Sequence, residues 1–350
     1  MKFILSIVFI LKGLFALSQN CEIADIKPSQ SDTSFIIVTN RKYNPTSPIG
    51  DYFTNEVAED GTLHYITVLF KNNNCHFIIN NSIDEAFESL QKDKDILIFV
   101  HGFGYYISNV MEVGYKLREK YDVNVICFSW ASNVHNKNKG TEFQIAKSNI
   151  VKSIPAFEQF ITSYQLYKEK NELQVNSTIM FHSLGNYFMQ KIIEDSLVQY
   201  FKPKLFDNVI LNAPAVNVKK HKSWIEKMDF QKRIYITSNK NDFMLRGARF
   251  LQHAAQLGVK SKNKLAKNAI YVNFTKAIGF NISIMKRHGH NYFLDVAPKD
   301  NSYVYKFYES VLHGKEYSFV ETNDTNSYRR IKPIIKTSKK YEWGLTVRAK

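Results

Sequence analysis

Ser183 stands where a strand-prone run, Thr178-Ile179-Met180-Phe181, gives way through His182-Ser183-Leu184-Gly185 to a helical pattern at Tyr187, Phe188, Ile192 and Ile193. A serine on a sharp strand-to-helix turn presents its hydroxyl as a nucleophile. The first amides of the following helix, Leu184's among them, then face any oxyanion forming beside it. The spacing is that of a G-x-S-x-G elbow, except that Phe181 occupies the first glycine position. A serine hydroxyl is a poor nucleophile near neutral pH and needs a base within hydrogen-bond reach. Histidine titrates in that range, and a carboxylate behind it fixes its tautomer and stabilises the imidazolium. A histidine and an acid must therefore be brought to the same place.

The elements that could do this alternate along the chain. Apolar strands are predicted at Ser34 to Thr39 and at Leu63 to Phe70, the second turned by Asn72-Asn73-Asn74 toward Phe77-Ile78-Ile79, and these read as antiparallel edge strands. A polar loop runs from Asn40 to Gly50, and a short amphipathic helix is predicted over 82–91. Ile96-Leu97-Ile98-Phe99-Val100 is a continuous apolar run, as in a strand buried on both faces of a parallel sheet. A helix over 110–120, a strand over 123–130 and a long helix over 142–168 lead to the serine turn. Beyond it come a strand over 209–211, a helix over 219–228, a strand over 233–237, a helix-rich stretch to Lys267, a strand over 269–274 and a last helix over 301–313. Such alternation predicts an α/β fold, a doubly wound and mainly parallel sheet with antiparallel edge strands at its N-terminal side.

In open α/β sheets ligands bind at the carboxyl ends of the strands, which sorts the candidates. Ser183 follows one strand, Asp242 lies just past another, and His290 falls in the loop after the last. Asp207 precedes its strand and so belongs to the opposite edge, and Asp295 follows the histidine. His288 competes with His290 for the role of base. His182 points elsewhere on the turn, and His101 supports the turn His101-Gly102-Phe103-Gly104, whose amides can supply the other half of an oxyanion hole. The order Ser, Asp, His is the one used by α/β hydrolases.

Six stretches resemble motifs of a bacterial group within the α/β-hydrolase superfamily. They are Thr39-Asn40-Arg41, His101-Gly102-Phe103, Phe128-Ser129-Trp130-Ala131-Ser132, His182-Ser183-Leu184-Gly185-Asn186, Asn241-Asp242 and Gly289-His290-Asn291-Tyr292-Phe293, similar in order to T-N-R, H-G-F, F-S-W-P-S, H-S-M-G-N, N-D and G-H-S-Y-F. The likeness spans roughly residues 34–310. It implies a catalytic triad of Ser183, Asp242 and His290, since His290 and not His288 falls on the family's histidine, with backbone amides of Phe103 and Leu184 as the oxyanion hole. It departs where Phe181 replaces a small residue, Ala131 a proline, Leu184 a methionine and Asn291 a serine.

Met1-Lys2 and an apolar run from Phe3 to Leu17, ending Ala16-Leu17-Ser18, read as a signal peptide over 1–18 with cleavage before Gln19. Residues 19–314 form the hydrolase domain, and 315–350 a basic C-terminal extension. The expected location is secreted or periplasmic. Cys21 and Cys75 could pair there, Cys127 sits in an apolar run, and no Cys/His spacing suggests a metal or other cofactor. Losing Lys2 and Lys12 with the leader takes the formal net charge from +15 to +13. That excess suits an anionic envelope surface as well as general solubility, and no nucleic-acid motif accompanies it. The stretch 243–268, with Met244, Leu245, Phe250, Leu251 and Leu257, reads either as a cap over the pocket or as an ordinary packed helix. The function expected is a secreted serine hydrolase cleaving a small-molecule or lipid carboxylic ester through an acyl-enzyme. The alternatives are a lipase or phospholipase at an anionic membrane surface and a catalytically silent hydrolase-fold binding protein.

Overall fold

The apolar runs become the inner strands of one large sheet in a computed structural model of the chain, which describes residues 21–29, 32–47, 52–71, 74–134, 138–197, 201–261, 265–278, 289–296, 302–317 and 332–333. The expected signal peptide over 1–18 lies outside the described residues. In chain order the elements are β1 (Cys21–Ile23), β2 (Thr33–Thr39), β3 (Arg41–Tyr43), β4 (Phe53–Val57), β5 (His64–Lys71), β6 (Asn74–Asn80), α1 (Ile83–Phe87), β7 (Ile96–Val100), α2 (Ile107–Tyr121), β8 (Asn124–Ser129) and α3 (Lys139–Lys170). They continue with β9 (Ser177–His182), α4 (Asn186–Glu194), β10 (Phe206–Asn212), α5 (His221–Ile225), β11 (Gln231–Ser238), α6 (Phe243–Gln252), β12 (Ile270–Asn273), α7 (Thr275–Ile278), α8 (Tyr292–Asp295), α9 (Ser302–Leu312) and β13 (Lys332–Pro333).

Eleven strands lie in the order β1-β6-β5-β2-β8-β7-β9-β10-β11-β12-β13. From β2 through β12 all neighbours are parallel, while β5 pairs antiparallel with both β2 and β6. The chain leaves β7 for β8 on one side and returns to β9 on the other. Such a reversal opens a crevice at the strands' carboxyl ends, the place where doubly wound sheets bind ligands. Every residue of β7, β8, β9 and β10 is buried, as strands covered by helices on both faces require.

The structure differs from the sequence expectation where local chemistry sets the ends. Residues read as a polar loop after Asn40 instead form β3, which pairs antiparallel with β4 in a separate two-stranded sheet. The long helix starts earlier than expected because the side chain of Asn138 caps it, accepting from the Gly140 amide at 2.8 Å. The helix-rich stretch after Asp242 is helical only to Gln252, because His253 adopts a left-handed conformation (φ 47°) and closes α6. In the basic extension, β13 pairs antiparallel with β12, Pro333 opposite Val272.

Cys21 and Cys75 are disulfide-bonded, directly opposite each other in the β1–β6 register, and Cys127 is a buried free thiol. The bridge closes a loop of sequence separation 54. Constraining the unfolded chain in this way is worth about 4 kcal/mol on the chain-entropy account. Cys75→Ser should lower unfolding stability by a comparable amount in chemical denaturation, and an unchanged midpoint would show that the bridge contributes nothing.

Candidate active site

β9 ends at His182, and Ser183 turns the chain with φ 54°, a left-handed conformation that a non-glycine residue keeps only when its surroundings enforce it. Asn186 does much of the enforcing. Its Nδ2 lies within hydrogen-bond distance of the carbonyls of Phe181 (2.9 Å), Ser183 (2.9 Å) and Asn212 (3.2 Å), and the Ala215 amide also donates to the Ser183 carbonyl. Gly185 passes so close to β7 that a Cβ there would stand 2.6 Å from the His101 carbonyl oxygen and 2.8 Å from that of Val100. Phe181, which the sequence pattern marks as crowding the turn, is fully buried and packs edge-on against Phe157 of α3, with centroids 5.9 Å apart. Its bulk goes into the layer between sheet and helix.

The turn after β7 closes on the serine from the other side. A Cβ on Gly102 would meet the Ser183 Cβ at 2.8 Å and its Oγ at 3.3 Å, and Gly104 takes a φ of +82°. Phe103 lies between these two glycines, and Leu184 directly follows the serine in the first turn of the helix, where amides have no intrahelical acceptor. Residues 129–132 brace this turn. Trp130 donates its Nε1–H to the His101 carbonyl and its backbone N–H to His101 Nε2, while Ser132 accepts from the Gly104 amide at its carbonyl and from the Tyr105 amide at its hydroxyl.

His101 donates through Nδ1 to the Gly102 carbonyl, so it is the neutral Nδ1–H tautomer. Burial first, and then Arg41, hold its pKa well below the usual histidine range. Arg41 is itself fully buried, and burial pulls its pKa down to about 9. Its guanidinium donates to Ser129 Oγ (2.9 Å), Asn55 Oδ1 (2.6 Å) and the Tyr105 carbonyl (2.8 Å), tying the β3–β4 hairpin and the end of β8 to the turn. Gly102→Ala should displace the Ser183 side chain and, where that hydroxyl does the chemistry, cut turnover by about 100-fold, as a displacement near 1 Å can. Unchanged kcat in that variant would show that the turn does not set the serine's position.

Asp242 is completely buried at the N-terminus of α6. One oxygen, Oδ1, accepts from the Leu245 amide at 2.9 Å, and the other, Oδ2, lies 2.7 Å from Nδ1 of His290. The carboxylate is thus held by the helix it caps while it fixes the imidazole. Gly289 lets the histidine loop approach, since a Cβ there would stand 2.7 Å from the Asn241 carbonyl oxygen, and Asn239 Nδ2 donates to the Gly289 carbonyl. The His290 ring lies 4.6 Å from that of His182, the residue preceding the serine. With Nδ1 engaged, Nε2 is the nitrogen left for a serine hydroxyl.

The structure therefore brings Ser183, His290 and Asp242 to one edge, with Phe103 and Leu184 beside the serine. His288 lies outside the described residues. Asp207 sits at the start of β10, on the opposite edge, where it accepts from the Ser177 amide and pairs with Lys232. His182 is no base, because burial and then the neighbouring His290 keep its pKa well below the usual range and its Nδ1 accepts from Asn212 Nδ2 at 2.9 Å.

Asn212 heads a buried network that the sequence reading did not anticipate. Its Oδ1 accepts from Thr237 Oγ1 and the Tyr308 hydroxyl, and Thr237 Oγ1 in turn meets the Tyr292 hydroxyl at 2.6 Å. Asn212 at the end of β10 and Thr237 near the end of β11 are polar residues at the carboxyl edge, but their partners Tyr292 and Tyr308 lie far along the chain. A cleft of about 1370 Å³ lies between the β3–β4 hairpin and α3, but none of Ser183, Asp242 and His290 lines it. Among the described residues no group of three or more His, Cys, Asp or Glu side chains is placed to hold a metal ion.

A family model described as an alpha/beta hydrolase of unknown function (DUF900) matches residues 80–295, the span from the end of β6 to α8. No curated protein and no solved structure matches the chain.

Proposed function

The chain belongs to this α/β-hydrolase family, and on that premise we propose that it is a serine hydrolase cleaving a carboxylic ester through an acyl-enzyme. The observation that carries the reading is the buried Asp242–His290 hydrogen bond of 2.7 Å at the edge where Ser183 stands on a left-handed turn. His290 Nε2 takes the hydroxyl proton as Ser183 Oγ attacks the ester carbonyl carbon. Charge develops on the carbonyl oxygen, where the Phe103 and Leu184 amides donate, and one such donor is typically worth about 10²–10³ in rate. Collapse expels the alcohol, which takes the proton from His290 and leaves an acyl group on Ser183. Water, deprotonated by the same imidazole, then releases the acid and restores the serine.

Esters are favoured over amides because an amine is a poorer leaving group and demands more of the acid. The purified protein should release p-nitrophenol from short p-nitrophenyl esters with an initial burst, the signature of an accumulating acyl-enzyme. Complete absence of turnover would favour the hydrolase-fold binding protein instead.

Export fits the same reading. The disulfide between Cys21 and Cys75 suits an oxidising compartment, and the sequence before it has the form of a leader. Sequencing of the mature protein should begin at or near Gln19, whereas cytoplasmic protein retaining Met1 would overturn this part.

A further inference from the structure

α6, the helix capped by Asp242, is held inward by buried Leu245, by half-buried Leu251 against the core and by Gln252, which donates to the Ala215 carbonyl at 3.1 Å, and it turns apolar residues outward as well. Phe243 is 51% exposed, Met244 57% and Phe250 77%. Phe243, Gly247 and Phe250 follow the i, i+4, i+7 line of one helix face, and exposed Met244 lies beside it. Arg246 stands over the Phe243 ring at 5.7 Å. Among the described residues neither Arg246 nor Arg249 has a carboxylate partner.

The surroundings share that charge. Lys240 precedes the helix, and its amide donates to Thr275 Oγ1, which puts it beside exposed Lys276. Exposed Lys219 and Lys220 adjoin the far end, where the Val218 amide donates to the Ala255 carbonyl. From Asn239 to Ile278 the one carboxylate is Asp242, which is buried and engaged with His290. Exposed phenylalanines on a short helix rimmed by lysines and arginines are what an interface between water and anionic lipid accommodates: rings enter the acyl boundary while the cations meet headgroups.

We propose that the outward face of α6 docks the protein on an anionic lipid bilayer, Phe243, Met244 and Phe250 entering the interface and Arg246, Arg249 and the flanking lysines meeting its charge. Docking there sets the catalytic edge against the membrane, because the acid of the triad is the residue that starts the helix. The inference deepens the esterase reading by giving it a lipid surface to act at, yet binding itself needs no turnover and is measured on the Ser183→Ala protein as well.

The test is co-sedimentation of the mature protein with vesicles of equimolar phosphatidylglycerol and phosphatidylcholine, and with vesicles of phosphatidylcholine alone. Binding is expected only to the first and should weaken as salt is raised. The pair Met244→Ser and Phe250→Ser should lower the partition coefficient at least tenfold while turnover of a soluble ester stays unchanged. Arg246→Gln with Arg249→Gln should lower it chiefly at low salt. Unaltered binding by the Met244/Phe250 variant overturns the proposal, since the basic C-terminal extension would then be the anchor. Equal binding to neutral vesicles, or a dimer that this variant dissociates in the absence of any vesicle binding, also overturns it.

Discussion

His290→Ala should lower kcat on a soluble ester by about a thousandfold or more, as loss of a triad base does, with a far smaller effect on KM. The reason is that, among the described residues, no other histidine at the site can take its place. His182, whose ring lies 4.6 Å from that of His290, is buried and neutral with Nδ1 occupied by Asn212. Both nitrogens of His101 are engaged, one with Trp130 and one with its own turn. Removing the ring also strips the buried Asp242 Oδ2 of its partner, so some loss of stability is expected alongside. For that reason kcat is to be compared at a temperature well below the variant's unfolding transition. If His290→Ala turns over substrate normally and His288→Ala does not, the base has been assigned two residues too late.

Ser183→Ala should cost about as much as loss of the base, on the order of 10⁴- to 10⁶-fold in kcat, because triad members act as a unit. The fold should survive. Alanine meets the same left-handed strain that serine bears at φ 54°, and the bonds from Asn186 and Ala215 go to the backbone carbonyl, which the substitution keeps. Thermal unfolding close to the parental protein together with abolished turnover is therefore the expected pair of results. Retained ester hydrolysis would remove Ser183 from the mechanism.

How much of this could be read beforehand varied with the kind of signal. The inner strands were legible because burial on both faces leaves a continuous apolar run, as at Ile96–Val100, and β7 ends where that run ends. The position of Ser183 at the carboxyl edge was equally plain, since a strand pattern changes to a helical one across four residues. Helix ends were less so, because caps such as Asn138 and the left-handed His253 act through local geometry that periodicity does not encode. β3 and β4 were missed because they are short and polar, and their shared contact is a buried Arg41 reaching Asn55 across the chain. The network of Asn212, Thr237, Tyr292 and Tyr308 joins residues far apart in sequence, so no single stretch reveals it. The apolar residues of α6 were visible in sequence, but whether they face the core or solvent depends on packing, and there Leu245 goes in while Phe250 goes out.

The central claim is that Ser183 is an activated nucleophile, and covalent labelling by a fluorophosphonate reads this without knowledge of the substrate. The reagent reacts at phosphorus with a serine whose proton a neighbouring base removes, so it separates a working triad from a hydrolase fold that merely binds. Intact-mass measurement should show one adduct on the parental protein, mapped by peptide sequencing to Ser183, none on Ser183→Ala, and a greatly slowed reaction on His290→Ala. An unlabelled parental protein, or an adduct on any residue other than Ser183, would contradict the account.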